Sequence, residues 1–304
     1  MKIDCIYIAC NKEDFYFTKI CLSSIRYWNK EISVFIIKDY SKGVFDTRET
    51  ERLLLVKVAN TEIKKLGYYS KLFPFYQDGK KQRVLILDSD IVWLCDMIAL
   101  LEQYDEDIIV DGYSPTDKKS EMSKWYFTEP GFSKQFPEYL YPGFLFNVGQ
   151  MVCNTDIFAR EDLAALLTWK EFPEPVIKNI FFYEQGILNY LFAKKVALNQ
   201  ITFRQLNFHL WGWDDKIKEI SVVDIQHKKA LPFLIHWYGN KNGLISFLPG
   251  AKILSFYESY YFSLGENKKI NHNTSKFKRT LRNFHSFAYE TGKAVYLFIK
   301  GKKR

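Results

Sequence analysis

Seven residues, V-L-I-L-D-S-D, ending in Asp88-Ser89-Asp90, constrain this chain more than any other stretch. Val84 to Leu87 are apolar without a break. A run that short and that branched suits a parallel strand covered on both faces. The carboxylates fall where such a strand leaves its sheet, and open α/β sheets bind ligands beyond the carboxyl ends of their strands. Side chains alternate along an extended chain, so Asp88 and Asp90 are expected on one side and Ser89 on the other. Two hard anionic oxygens on one side make a place for Mg2+ or Mn2+, which can in turn hold a diphosphate. The plain alternative for paired aspartates is a helix cap or a turn.

The surrounding pattern predicts the sheet such a strand needs. Strands are expected over Ile3 to Ala9, Ile32 to Ile37, Leu53 to Ala59 and Ile108 to Val110. Helices are expected over Asp14 to Tyr27 and Tyr68 to Tyr76. Strands alternating with helices indicate an α/β fold with a largely parallel sheet. Glu121 to Pro142 has no clear period and reads as a long loop. Gly143 to Asn154 reads as a strand pair, or a strand bulged at Gly149. Further helices are expected from Asp162 to Leu167 and Glu184 to Ala193, with a last buried strand from Leu231 to Trp237. The division is a main domain over 1–245 and a mostly helical appendage over 246–304.

A chain of 304 residues with 47% hydrophobic content supports a real core. The five cysteines are scattered, with no C-x-x-C pair, which predicts free thiols in a reducing compartment and argues against structural zinc. The N-terminus reads as too short and polar for a signal peptide, so a cytoplasmic location is expected. The net charge of +8 is uneven: Gly265 to Arg304 holds eleven Lys or Arg against two Glu, which leaves the body one charge negative. A near-neutral body argues against a nucleic-acid partner, whose groove would carry the cations.

Five segments, in order, carry a resemblance: Y-Y-S-K-L-F-P-F, V-L-I-L-D-S-D, F-N-V-G-Q-M-V-C-N, E-Q-G-I-L-N and L-I-H-W-Y-G-N-K. The chain resembles the GT-A glycosyltransferases over roughly residues 1–245, most closely the family 8 type that includes bacterial lipopolysaccharide galactosyl- and glucosyltransferases. The resemblance implies a Rossmann-like, mostly parallel sheet flanked by helices. It implies that Asp88 and Asp90 bind Mn2+ (or Mg2+) with His236 as third ligand, and that the pair, with Ser89 between, reaches the donor's ribose and diphosphate. It further implies that Lys71 contacts donor phosphate or sugar, that Asn147 bonds the donor sugar with Asn154 supporting its strand, and that Glu184 and Gln185 flank the transferred sugar. Ala9, Cys10, Asn11 and Asp39 would lie along the nucleotide. Lys241 would meet the departing diphosphate, although its spacing from His236 is one residue short and Asn242-Gly243 replaces the usual Pro-Trp. For His236 the alternative is a core histidine, and for Asn11 a turn residue.

The implied function is hexose transfer from a nucleotide sugar, a UDP-hexose, to a glycan or lipid-linked acceptor, with retention of configuration. An inverting enzyme would need a general base, for which Asp214 or Asp215 are candidates. Trp211 and Trp213 could stack on an acceptor sugar or serve as core or lid residues. Phe277, Leu281, Phe284 and Ala288 at helical spacing among Lys and Arg predict association with an anionic membrane surface, which suits a peripheral protein on the inner face. The rival enzyme class is a haloacid dehalogenase-type phosphatase with Asp88 as nucleophile, since D-S-D-I-V fits its motif. A non-catalytic carbohydrate-binding protein is a further alternative.

Overall fold

The computed structural model describes residues 1–77, 81–112, 126, 134, 136–137, 144–176, 183–229, 231–238 and 245–265. Lys241, the basic tail from 266 onward and most of 121–142 lie outside them.

The amino-terminal half runs β1 (Cys5–Asn11), α1 (Phe15–Trp28), β2 (Ser33–Asp39), α2 (Arg48–Leu54), β3 (Lys57–Val58), a 3-10 helix (Gly67–Tyr76), β4 (Arg83–Asp88), β5 (Ile91–Trp93), α3 (Met97–Leu101) and β6 (Ile108–Asp111). There follow β7 (Gln150–Asn154), α4 (Arg160–Ala164), β8 (Leu167–Thr168), β9 (Glu174–Pro175) and α5 (Tyr183–Ala197). The chain then forms β10 (Phe203–Leu206), β11 (His209–Trp211), α6 (Lys216–Glu219), α7 (Val222–Gln226), β12 (Leu234–His236) and α8 (Ala251–Ser263).

Seven strands form the main sheet in the order β10-β6-β7-β4-β1-β2-β3. All neighbours are parallel except β7, which is antiparallel to both β4 and β6. The unbroken apolar runs have a simple cause: both faces are covered. Tyr7, Val84, Ile86, Val110 and Met151 pack to one side, with Ile187, Leu188 and Leu191 of α5. Ile6, Ile8, Leu85, Leu87, Ile109 and Val152 pack to the other, with Leu22 and Ile25 of α1. Each such fully buried side chain contributes about 1.5–3 kcal/mol before entropy is subtracted.

The strand order reverses at β1. The chain goes from β1 outward to β2 and β3, then returns to lay β4 on β1's other side, with Ala9 opposite Asp88. Ligands bind at such a switch point in open sheets, outside the carboxyl ends. A second sheet, β11-β12-β5, stands beside this rim.

Several local expectations are corrected. Residues 53–59 are not one strand: R-E-T-E-R-L-L is helical, with Glu49 and Glu51 in its first turn and Arg52 in its last, matching the helix dipole. Leu55, at φ 49°, ends that helix, and only two residues then pair as β3. Residues 67–76 wind as 3-10 helix, with Pro74 inside. At 160–168 the helix stops at Ala164, and Leu167 pairs with Pro175. Gly149 lies in a turn rather than a bulge. β4 is parallel on one side only, a distinction an apolar run does not encode. The strand at 231–237 shortens to Leu234–His236 and belongs to the smaller sheet.

The boundary expected at 245/246 falls within a 3-10 turn, Ile245–Phe247, ahead of α8. That helix packs along α1, and its Ile253, Leu254 and Tyr257 share a core with Phe17, Ile20 and Trp237. Among the described residues no helix is long and apolar enough to cross a membrane. All five cysteines are buried free thiols.

Candidate active site

Asp88 closes β4, Ser89 and Asp90 make a turn, and Ile91 opens β5. The turn, rather than strand alternation, brings the two carboxylates together. Ser89 is buried beneath it, away from the cleft, and its hydroxyl makes no hydrogen bond among the described residues. β5 pairs antiparallel with β12, placing Ile91 opposite His236, and the Trp237 N–H donates to the Asp90 carbonyl at 3.1 Å. Residues nearly 150 positions apart thus meet through one short ladder.

His236 Nε2 stands 3.2 Å from Asp90 Oδ1 and 3.6 Å from Asp88 Oδ2. Among the described residues these three form the one group of His, Cys, Asp or Glu arranged to hold a metal ion, with their ligand atoms within 4.8 Å of one another. His236 is buried, and among the described residues neither ring nitrogen has a hydrogen-bond partner. A buried imidazole nitrogen left unbonded and facing two carboxylates is an expensive arrangement unless something else satisfies it. An octahedral divalent ion with ligands at about 2.1 Å puts neighbouring ligands about 3.0 Å apart and opposed ones about 4.2 Å apart. The two His236 spacings fall between, and an oxygen-oxygen-nitrogen set suits Mn2+ or Mg2+. The residues fit the ion.

Asp88 serves two partners. Its Oδ1 accepts from Lys71 Nζ at 2.9 Å, and Lys71 also reaches Glu184 Oε1 at 3.2 Å. All three lie in the wall of one cleft. Burial alone would lower the Lys71 ammonium, but Asp88 and Glu184 outweigh it and hold its pKa above the ordinary value. Burial pushes the Glu184 carboxyl up against the opposing pull of Lys71, since one cation is shared by two carboxylates. Asn147 Oδ1 accepts the Gly149 N–H at 2.6 Å. Gly149 is there for space: a Cβ would meet Asn147 Oδ1 at 2.5 Å, Asp88 Oδ2 at 2.7 Å and His236 Cε1 at 2.8 Å.

The cleft measures about 890 Å³, and Ala9, Cys10, Asn11, Asp39, Lys71, Asp88, Asp90, Asn147, Glu184, Gln185 and His236 all line it. The structure therefore gathers most of the residues singled out from sequence. Asn11 uses its side chain locally, accepting from the Glu13 and Asp14 amides and donating to Asp14 Oδ2, so it also shapes the turn into α1. Asp39 accepts the Ser41 amide and hydroxyl. Asn154 is not brought in; it sits at the far end of β7, bonded to Asp107. Asp214 and Asp215 do not line the cleft: Asp214 accepts the Lys216 amide, and Asp215 pairs with Lys218.

Three features went unread in the sequence. His209 Nδ1 lies 3.1 Å from Asp111 Oδ2 and 3.2 Å from Gln150 Nε2, a buried cluster behind His236. Burial, and then His236 nearby, drive the His209 pKa well down, so the ring is neutral. It either donates Nδ1–H to Asp111 or accepts from Gln150. The available signal was a histidine inside an apolar segment, F-H-L-W, like the one in L-I-H-W. At the cleft mouth Tyr68 and Tyr183 stack with centroids 3.9 Å apart, and Tyr183 has φ 52°. A bulky residue in the left-handed region is strained, and such strain concentrates at functional sites; nothing in the sequence signals it.

No protein-family model matches the chain, and no curated protein matches it significantly. Solved structures do. The bifunctional glycosyltransferase WbbM, in its apo form, aligns at TM-score 0.55 and 16% identity over 90% of this chain, which spans about half of that protein (51%). The galactosyltransferase LgtC, in complex with donor and acceptor sugar analogs, aligns at TM-score 0.50 and 14% identity, covering 88% of this chain and 99% of LgtC. An active-site mutant of LgtC aligns at TM-score 0.51 and 12% identity. At these identities the likeness is one of architecture: the chain has the GT-A fold of these glycosyltransferases.

Proposed function

We propose that this chain is a metal-dependent glycosyltransferase of the family 8 type, moving a hexose from a nucleotide sugar, UDP-Gal or UDP-Glc, to a glycan or glycolipid acceptor with retention of configuration. The convergence of Asp88, Asp90 and His236 at the sheet's switch point carries the reading.

Asp88 Oδ2, Asp90 Oδ1 and His236 Nε2 would hold Mn2+ or Mg2+. Such an ion, when bound, supplies a Lewis acid that neutralises charge on a departing diphosphate. Lys71, by occupying Oδ1, turns Asp88 so that Oδ2 faces Asp90 and His236. Ala9, Asn11 and Asp39 hold the nucleoside at the ends of β1 and β2. Asn147, whose Oδ1 is occupied by Gly149, has its amide N–H groups for a sugar hydroxyl. Glu184 and Gln185, at the start of α5, flank the transferred sugar and stabilise its cation-like centre. By the resemblance, Lys241 would be the residue that meets the leaving diphosphate. Retention is supported by the position of Asp214 and Asp215, the candidate inverting bases, outside the cleft. The phosphatase reading is not favoured: its nucleophile belongs on the first strand, whereas Asp88 ends β4 with three strands before it, and the architecture is that of glycosyltransferases.

The basic surplus after residue 265 supports a cytoplasmic protein, peripheral on the inner face of the membrane, acting in bacterial surface polysaccharide or lipopolysaccharide synthesis. A thermal-shift panel of nucleotide sugars with and without Mn2+ tests the proposal. A UDP-hexose should stabilise the protein only when Mn2+ is present, by about 2.7 kcal/mol at a hundred times its Kd. Silence toward every UDP, GDP, CMP and TDP sugar overturns it.

A further inference from the structure

We infer that the cleft contains an acceptor subsite for a hexopyranose ring, built on the open face of Trp213. The inference rests on the transferase reading and names the kind of substrate its second site takes.

Three rings run outward from the metal-ligand cluster. Trp211, buried in β11, stacks on His236 with centroids 5.3 Å apart and planes 23° apart. Trp213 stacks on Trp211 at 5.1 Å and 7°. Between them Gly212 presses against Trp237, where a Cβ would meet Trp237 Cδ1 at 2.6 Å, so the chain there has one course. Trp213 is nonetheless 55% exposed and lines the cleft, as does Tyr238, 48% exposed and edge-on to Trp211. A large apolar side chain that is rigidly backed and left open is a platform that loses little entropy when covered.

A pyranose suits it. One face of the ring presents C–H groups to an indole, and hydroxyls around the rim remain for polar neighbours. Position argues against a nucleobase on this platform. The residues placed at the nucleoside come from β1 and β2 of the main sheet, whereas the ring stack belongs to the small sheet, on the His236 side. Two stacking intervals from the metal ligand is a fitting station for an acceptor beside the transferred sugar.

Saturation-transfer NMR with the methyl α- and β-glycosides of glucose and galactose, on full-length protein loaded with UDP and Mn2+, tests this. A glycoside should bind the wild type, bind about tenfold more weakly to Trp213→Ala, and recover to within about threefold in Trp213→Phe. The UDP–Mn2+ thermal shift should persist in both variants, which also reports that they are folded. Equal glycoside binding to wild type and Trp213→Ala overturns the inference, as does absence of glycoside binding to the wild type. Loss of the UDP shift in folded Trp213→Ala, checked by circular dichroism, also overturns it, by making Trp213 a donor residue. Trp213-dependent glycoside binding in a protein that ignores UDP supports the subsite and sinks the transferase reading alone.

Discussion

His236 and His209 sit on adjacent parallel strands, β12 and β11, with ring centroids 5.5 Å apart, and each faces an aspartate. Their surroundings differ in two ways. His236 meets a second carboxylate, Asp88, and lines the cleft; His209 meets one carboxylate and an amide and does not line it. The same pairing of imidazole and carboxylate therefore makes a group that could hold a metal ion in one place and a buried brace in the other. What separates them is one more acid and a path for a ligand, not the chemistry of either side chain.

The comparison is broken most forcefully at Asp90. Asp90→Asn keeps the shape but removes a charged oxygen ligand, and transfer should fall at least ~10³-fold, about 4 kcal/mol of barrier. Stability without metal should hold, checked by a melt in EDTA; an unchanged turnover number would assign the histidine pair to structure alone. Gly149→Ala comes next. The methyl intrudes on Asp88, Asn147 and His236 together, and Mn2+ affinity measured by calorimetry should drop ten- to a hundredfold, about 1.4–2.7 kcal/mol. The smallest effect sharpens the contrast from the His209 side. Its pKa is depressed in the fold, so above about pH 6.5 both folded and unfolded chains carry it neutral. Below that, the unfolded chain takes up a proton the folded one refuses, and stability falls by up to about 1.4 kcal/mol per pH unit. His209→Gln should flatten this slope when melting temperatures are compared at pH 7.5 and 5.5 in EDTA.

What sequence reveals here follows the reach of its signals. The strand at 84–88 and its acidic exit are local, and burial on both faces leaves an unmistakable apolar run. Lys71, Asn147, Glu184 and His236 were found through the spacing of known segments, not through any physical pattern in this chain. Beyond them lie the direction of β7, the turn at Ser89-Asp90 and the cluster of Asp111, Gln150 and His209. Each depends on pairing between distant strands, and an apolar strand looks the same whichever way its neighbour runs. Gly149 shows the limit well: a glycine suggests a turn or a bulge, but only the assembled site shows which three atoms forbid a methyl group.

The reversed direction of β7 has one more consequence. β6 finishes at the cleft rim with Asp111, and β7 sets out from the same rim with Gln150. The stretch joining them is thus tethered at both ends at that rim, and its Leu145, Phe146 and Val148 pack into the core beside the sheet. Such a stretch can lengthen, shorten or change its residues over generations at a modest entropic cost. A protein built this way can rewrite one connection at its cleft rim without moving the strands that carry Asp88, Asp90 and His236.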